Sequence, residues 1–147
     1  MGYRIREVDG SDDDLGDEIT TLNYMVFSLE RDPVPSLKTD TGYWWLVFHD
    51  GEQEPIAFAG LTPSTLGPGY GYLKRSGVLP RHRGHGLQKR LVRVREAKAR
   101  RLGWHTLVTD TTSNVPSANN MIASGFRLFD PEVRWAFQNS LYWRKQL

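Results

Sequence analysis

A strand, a glycine-containing turn and a long helix follow one another in the middle of the chain, and this order constrains the fold more than any other feature. Tyr70 to Leu79 has the composition of a strand, and Pro80 ends it because proline cannot donate to a strand ladder. Gly84 and Gly86 form the turn, and the next 16 residues, Leu87 to Leu102, contain neither glycine nor proline. We therefore predict a mixed α and β protein in which a helix follows directly on a strand.

The helix after the turn is predicted to be amphipathic. Leu87, Leu91, Val94 and Leu102 lie on about one face at the 3.6-residue period, and Gly103 follows where a left-handed C-cap belongs. Basic residues fill the rest of this helix. Beyond its first turn, we interpret them as a solvated face.

Periodicity and turn residues predict the remaining elements. They are a strand over Tyr3–Val8, a helix of about 14 residues from Asp13, a short helix before Tyr43, a hairpin of Trp44–His49 and Pro55–Leu61, a strand over Thr106–Thr109, a helix over Ser117–Ser124, and strands over Phe126–Phe129 and Leu141–Arg144. No linker or low-complexity tract divides the chain. We expect a single domain over residues 1–147.

The strand, turn and helix also predict an anion site. A helix N-terminus presents unpaired N–H groups and a partial positive charge, so a phosphate placed there satisfies both. Gly84 and Gly86 let the backbone approach such a ligand, and Arg81 and Arg83 can add charge-assisted contacts. The turn fits neither the common nucleotide loop ending in Gly-Lys-Ser/Thr nor the Gly-x-Gly-x-x-Gly turn with a following acid.

The segment Val78–Leu91 resembles the acyl-CoA-binding motif of the GNAT superfamily of N-acetyltransferases, which runs Val-x-Pro, two residues, then Arg-Gly-x-Gly-x-Gly/Ala before a helix. Arg83, Gly84 and Gly86 match this motif, whereas Gln88 replaces its last small residue. The resemblance implies acetyl-CoA as acyl donor. It also implies a central, mostly antiparallel sheet of six to seven strands with about four helices, splayed between strands four and five.

The resemblance continues downstream, where the segment Asn114–Phe126 is similar to the family's Asn-x-x-Ala-x-x-Leu-Tyr-x-x-x-Gly-Phe. It implies that the pantetheine arm pairs with the backbone of residues 78–80, that the pyrophosphate binds the amides of residues 83–87, and that Asn114 reaches the CoA arm or shapes the site. The predicted cofactor-binding residues are Val78, Leu79, Pro80, Arg81, Arg83, Gly84, His85, Gly86, Leu87 and Asn114.

The catalytic groups are harder to predict, because the family's frequent tyrosine falls on Met121, and a thioether cannot donate a proton to a leaving thiolate. Either another donor supplies that proton, with Tyr142 and Tyr72 as candidates, or solvent and backbone groups stabilise the departing thiolate. Transfer to an amine also needs a route for the amine proton. Asp110, directly after a predicted strand, is the first candidate for the base, with Glu54 and His49 as weaker candidates.

Charge is strongly segregated and leaves the function open to alternatives. Residues 1–73 carry 4 basic and 13 acidic side chains, residues 74–101 carry 11 and 1, and residues 102–147 carry 4 and 3. The basic middle could serve a nucleic-acid-binding module, although its residues surround the helix instead of lining one stripe. A CoA-binding regulatory domain without catalysis is the other alternative, for which Met121 is the hint. The acidic first half favours a cationic acceptor.

Several features are predicted to be absent. The chain has no cysteine, which excludes disulfides, thiolate zinc sites and a cysteine nucleophile. His82 and His85 have no further ligand at helpful spacing, so we predict no metal site. With neither a signal segment nor a bilayer-spanning run, we expect a cytoplasmic protein without a membrane partner. Homodimers are common in the family that the chain resembles, and the acceptor amine is not specified.

Overall fold

The computed structural model describes residues 2–30 and 33–147 and contains a seven-stranded mixed sheet. Its elements in chain order are β1 (Tyr3–Val8), α1 (Asp13–Phe27), β2 (Tyr43–His49), β3 (Ala57–Pro63), β4 (Tyr70–Val78), a 3₁₀ turn (Pro80–His82), α2 (Leu87–Arg101), β5 (Thr106–Thr111), α3 (Val115–Ala123), β6 (Arg127–Leu128) and β7 (Leu141–Gln146). The strand order is β1-β2-β3-β4-β5-β7-β6. The predicted fold class is confirmed, with three α-helices and one 3₁₀ turn among the described residues.

The chain divides into two compact units. The first comprises Met1–Thr62 and Lys74–Leu91, and the second comprises Pro63–Leu73 and Val92–Leu147. Strand β4 and helix α2 therefore contribute residues to both units. No helix within the described ranges is long and apolar enough to cross a membrane.

The first unit is built on the antiparallel strands β1, β2 and β3. Helix α1 begins where Asp12 accepts a hydrogen bond from the Leu15 N–H at 3.0 Å, and its buried residues include Ile19 and Leu22. The ring of Trp44 is fully buried against Gly60, where a Cβ would lie 2.6 Å from it. This close approach explains why the central strand β3 carries a glycine.

The predicted short helix before Tyr43 is wrong, because residues 33–42 form no helix. Pro33 and Pro35 bias this segment away from helical conformations. The Pro35 carbonyl instead accepts hydrogen bonds from the side chains of Asn23 at 3.2 Å and Arg75 at 3.0 Å. The segment is thus held by side chains of the first unit in a non-helical form.

The second unit is built on β5 and β7, which pair antiparallel over six residues, with the two-residue β6 on the other side of β7. Strand β4 joins β5 in parallel at three positions, the last being Tyr72 opposite Val108. Beyond that ladder, the Thr109 hydroxyl donates to the Leu73 carbonyl at 3.0 Å. The parallel ladder is therefore shorter than either strand.

Helix α2 buries charged residues that its sequence pattern assigned to solvent. Its buried positions include Leu91, Val92, Arg95, Glu96 and Ala99, which recur at helical spacing, whereas the predicted inward residues at positions 94 and 102 are only half-buried. Burial lowers the pKa of Arg95 to about 9, although the nearby negative charge of Glu96 acts to raise it. The solvated-face prediction for the basic residues is therefore wrong at Arg95, and Glu96 is buried beside it.

Breaking the ion pair of Glu96 should destabilise the second unit. Lys145 Nζ lies 2.8 Å from Glu96 Oε2 and donates to the Ser124 carbonyl at 2.8 Å. Lys145→Met leaves the buried carboxylate without this cation, so we expect a loss of about 3 kcal/mol in the free energy of unfolding, measured with urea. Asp130→Asn, which removes an exposed ion pair with Arg134, should cost less than about 1 kcal/mol. Equal losses in the two variants would contradict this prediction.

Candidate functional site

The turn between β4 and α2, which we call the glycine loop (residues 83–87), faces open space. Gly84 has φ +84° and Gly86 has φ +74°, and a Cβ on either would meet no atom within 4 Å. Any other residue would be strained in this left-handed conformation. The two predicted glycines therefore shape a backbone that a ligand can approach closely.

Helix α2 presents its N-terminus at the same loop. The Arg90 N–H donates to the Gly86 carbonyl at 3.2 Å and opens the helical ladder, so the N–H groups of residues 87–89 precede it. No acidic residue lies in the first turn. These N–H groups and the helix dipole make the loop suited to an anion, as the sequence predicts.

The end of β4 is tied to the glycine loop by internal hydrogen bonds. Arg83 Nε donates to the Val78 carbonyl at 3.0 Å, which aligns an exposed arginine along the loop. The Leu79 N–H donates to the Ile56 carbonyl at 3.0 Å, and the Pro80 carbonyl accepts from the Arg83 N–H at 3.2 Å. The Val78 carbonyl, the Leu79 N–H and the Pro80 carbonyl thus already have partners. Pairing of residues 78–80 with a pantetheine arm stays a prediction, which depends on their other backbone groups.

Arg81 makes a contact that the sequence does not predict. Its guanidinium lies 2.9 Å from Glu52 Oε1, in the turn between β2 and β3. This hydrogen bond lowers the pKa of Glu52. Burial acts to raise that pKa, and the neighbouring His82 and His49 act to lower it further. Arg81 therefore reaches the loop rim as one half of an ion pair.

The three histidines of the first unit differ in their surroundings. His82 is buried, and its Nδ1 lies 2.9 Å from the Tyr3 hydroxyl. His85 is exposed, with its Nδ1 3.1 Å from the His82 carbonyl. His49, a weaker candidate base, lies 3.0 Å from Glu52 through its Nδ1. His49 and His82 thus form a cluster with Glu52, whereas His85 contacts the backbone of His82.

Asp110 is held by two donors in the second unit. Its Oδ2 accepts from the Tyr72 hydroxyl at 2.6 Å and from Trp135 Nε1 at 2.9 Å. Both hydrogen bonds go to Oδ2 and orient the carboxylate. Neither involves Oδ1, so that oxygen can accept a proton. The sequence suggested Asp110 and Tyr72 separately and indicated a core or pocket-wall aromatic residue at Trp135, whose indole N–H is the only signal that it could donate to Asp110.

Tyr142 is more enclosed than Tyr72. Its hydroxyl accepts the Ala136 N–H at 3.0 Å, its ring is 2% exposed, and the Trp135 ring packs edge-on with centroids 4.6 Å apart. Tyr72 is half-buried. The structure thus gives Tyr142 the surroundings of a core aromatic residue and gives Tyr72 a carboxylate partner.

Two other candidates have structural partners of their own. Asn114 caps α3, and its Oδ1 accepts the Ser117 N–H at 3.0 Å. The pKa of Glu18 is raised, chiefly by burial and also by the nearby negative charges of Glu54 and Asp14. Some acidic residues of the first half therefore have structural surroundings of their own. Asp12 caps α1, and Asp14 and Glu54 both lie near Glu18.

Comparisons with known proteins agree with this geometry. The profile of the Acetyltransferase (GNAT) family matches residues 13–126. A search among functionally curated proteins finds no match.

Solved structures share the fold over nearly the whole chain. An acetyltransferase of the GNAT family from Staphylococcus aureus has a TM-score of 0.78 at 15% identity, covering 99% of each chain. A Bacillus subtilis acetyltransferase in complex with CoA has a TM-score of 0.72 at 17% identity, also covering 99% of each. The ribosomal-protein-S18-alanine N-acetyltransferase from Escherichia coli has a TM-score of 0.73 at 12% identity, covering 99% of this chain and 94% of that one.

Proposed function

The chain belongs to the GNAT acetyltransferase family, and we propose that it is a single acetyltransferase domain that moves an acetyl group from acetyl-CoA to a primary amine in a ternary complex. The observation that carries this proposal is the glycine loop. Its two left-handed glycines, open surroundings and leading helix N–H groups have the properties that a pyrophosphate needs. The CoA complex of the Bacillus subtilis protein with the same fold supports CoA as the ligand.

We propose a division of labour within the loop. The N–H groups that precede the α2 ladder would bind the pyrophosphate, because they and the helix dipole act together on an anion. Arg83, aligned by the Val78 carbonyl, would add a charge-assisted contact. Arg81 is paired with Glu52, so it would contribute its charge to the rim as part of that pair.

The proton transfers are assigned to the Asp110 cluster. The amine nitrogen would attack the thioester carbonyl, and its proton would pass to Asp110 Oδ1, directly or through water. Tyr72 and Trp135 would hold the carboxylate in place through Oδ2. When the C–S bond breaks, the thiolate would take a proton from a tyrosine hydroxyl, and the protonated Asp110 would pass the amine proton on to that tyrosine, which restores both groups. Tyr72 suits this step better than the predicted Tyr142, because Tyr142 is enclosed.

The acceptor is proposed to be a cationic amine. Residues 1–73 carry an excess of nine acidic side chains, which would favour a cationic substrate electrostatically. The Escherichia coli protein of the same fold acts on an alanine of a ribosomal protein, so peptide N-termini belong in the test panel beside small amines, polyamines and lysine peptides.

Turnover tests this proposal directly. The chain is incubated with acetyl-CoA and each amine of the panel, and free thiol and acetylated product are measured together. We expect thiol release that depends on both substrates and matches product one to one. Thiol release without acetylated amine would indicate hydrolysis and contradict the proposed transfer.

Calorimetry separates the alternative functions. We expect CoA to bind at one site per chain. Tight CoA binding with no turnover on any amine would favour the regulatory domain without catalysis. Steeply salt-dependent binding of DNA or RNA without CoA binding would favour the nucleic-acid-binding module.

A further inference from the structure

His49, Glu52 and His82 bring three metal-ligating atoms together in the first unit. Glu52 Oε2 lies 3.0 Å from His49 Nδ1 and 2.9 Å from His82 Nε2, and all three atoms lie within 4.8 Å of one another. The residues come from the end of β2, the following turn and the 3₁₀ turn after β4. Because His82 lies 30 residues beyond Glu52 in the chain, sequence spacing did not reveal the group.

His82 supplies a second and independent observation. Its side chain is 92% buried, and its Nε2 has no hydrogen-bond partner within the described ranges although Glu52 Oε2 lies 2.9 Å away. A buried polar atom without a partner is costly, so such atoms are usually satisfied by water or an ion. The unsatisfied nitrogen thus lies within 4.8 Å of the other two ligand atoms.

The surrounding contacts match those that support metal ligands. The Tyr3 hydroxyl lies 2.9 Å from His82 Nδ1 and can accept a hydrogen bond from it, which favours the tautomer that is protonated at Nδ1 and leaves the Nε2 lone pair to bind a cation. Arg81 occupies Glu52 Oε1 and so directs Oε2 toward the histidines. Ligating histidines and carboxylates typically have such outer partners.

We propose that His49 Nδ1, Glu52 Oε2 and His82 Nε2 form a binding site for a divalent transition cation, with Zn²⁺ as the best match, in place of the predicted absence of a metal site. Two histidines and one glutamate are an established zinc ligand set, completed by water. Ligands bound to one zinc at 2.0–2.1 Å lie about 3.3 Å apart in a tetrahedron. The two distances to Glu52 Oε2, 3.0 and 2.9 Å, would therefore widen slightly on binding, and the two histidine nitrogens, which lie within 4.8 Å, would settle at the same separation. The ion would join the β2–β3 turn to the 3₁₀ turn that leads into the glycine loop.

Calorimetry with ZnCl₂ and the full chain, without a polyhistidine tag, tests this site. We expect one zinc per chain with a dissociation constant of about 1 µM or below at neutral pH. His49→Ala and Glu52→Gln should each weaken binding about 100-fold or more, since both change a ligand on a half-exposed residue. Tyr3→Phe should weaken it roughly tenfold, because it removes only the outer partner of His82.

The chain provides matched controls, because its other two histidines, His85 and His105, lie outside the ligand set. His85→Ala and His105→Ala should bind zinc like the unmodified chain. Co²⁺ should give visible absorption bands without thiolate charge transfer, and His49→Ala should abolish them.

The absence of saturable zinc binding would overturn the proposal. So would binding that survives both His49→Ala and Glu52→Gln, or binding that is lost in His85→Ala, provided circular dichroism shows each variant folded. The readout is metal binding alone, so it is independent of acetyl transfer.

Discussion

Gly86→Val is expected to weaken CoA binding by about 100-fold or more. Gly86 has φ +74°, and its missing side chain faces open space where the proposed pyrophosphate would approach. A valine there would keep the phosphates from the N–H groups of residues 87–89. Losing two charge-assisted hydrogen bonds at about 1.5 kcal/mol or more each corresponds to this factor. Calorimetric titration with CoA measures it.

Gly103→Val is the matched control for backbone strain. Gly103 follows α2 with φ +80°, and a Cβ there would also meet no atom within 4 Å. Both variants should lose similar unfolding free energy because valine is equally strained at either position. Only Gly86→Val should lose CoA affinity. If both variants bind CoA equally well, the glycine loop does not hold the phosphates.

The glycine loop was predictable because its determinants are local. Pro80 ends the strand, the left-handed conformation needs glycine at positions 84 and 86, and the residues after them favour a helix. None of these requires a distant partner. The structure accordingly places all three features as the sequence predicts.

The partners of the site residues were not predictable because they come from distant parts of the chain. Arg81 was expected at a phosphate, but Glu52 lies within reach only after β2, β3 and β4 have formed. Likewise, a pattern that counts hydrophobic residues assigns Arg95 and Glu96 to solvent, whereas Lys145 from the last strand accompanies Glu96 in the interior. Local composition carries no information about such partners.

Asp110→Asn is expected to lower kcat by about 100-fold or more while leaving CoA affinity unchanged. Asparagine has the same shape and keeps an oxygen that can accept from Tyr72 and Trp135, so the local structure should persist. What it loses is the basicity that accepts the amine proton, and general base catalysis contributes about 10²–10⁴-fold. Steady-state kinetics with a reactive amine, alongside calorimetry with CoA, measure the two quantities separately.

Asp130→Asn is the control for Asp110→Asn, because Asp130 is an exposed aspartate of the same unit whose described partner is Arg134. It should leave kcat unchanged.

Tyr72→Phe then distinguishes the roles within the cluster. If Tyr72 only orients Asp110 through Oδ2, its loss should lower kcat modestly and equally for every acyl acceptor. If Tyr72 protonates the thiolate, Tyr72→Phe should lower kcat more than Tyr142→Phe does. An acyl donor whose thiol has a lower pKa than that of CoA should then restore much of the rate, because a better leaving group needs less proton donation. Full activity of Asp110→Asn would show that the proton leaves by another route, whatever the tyrosine variants do.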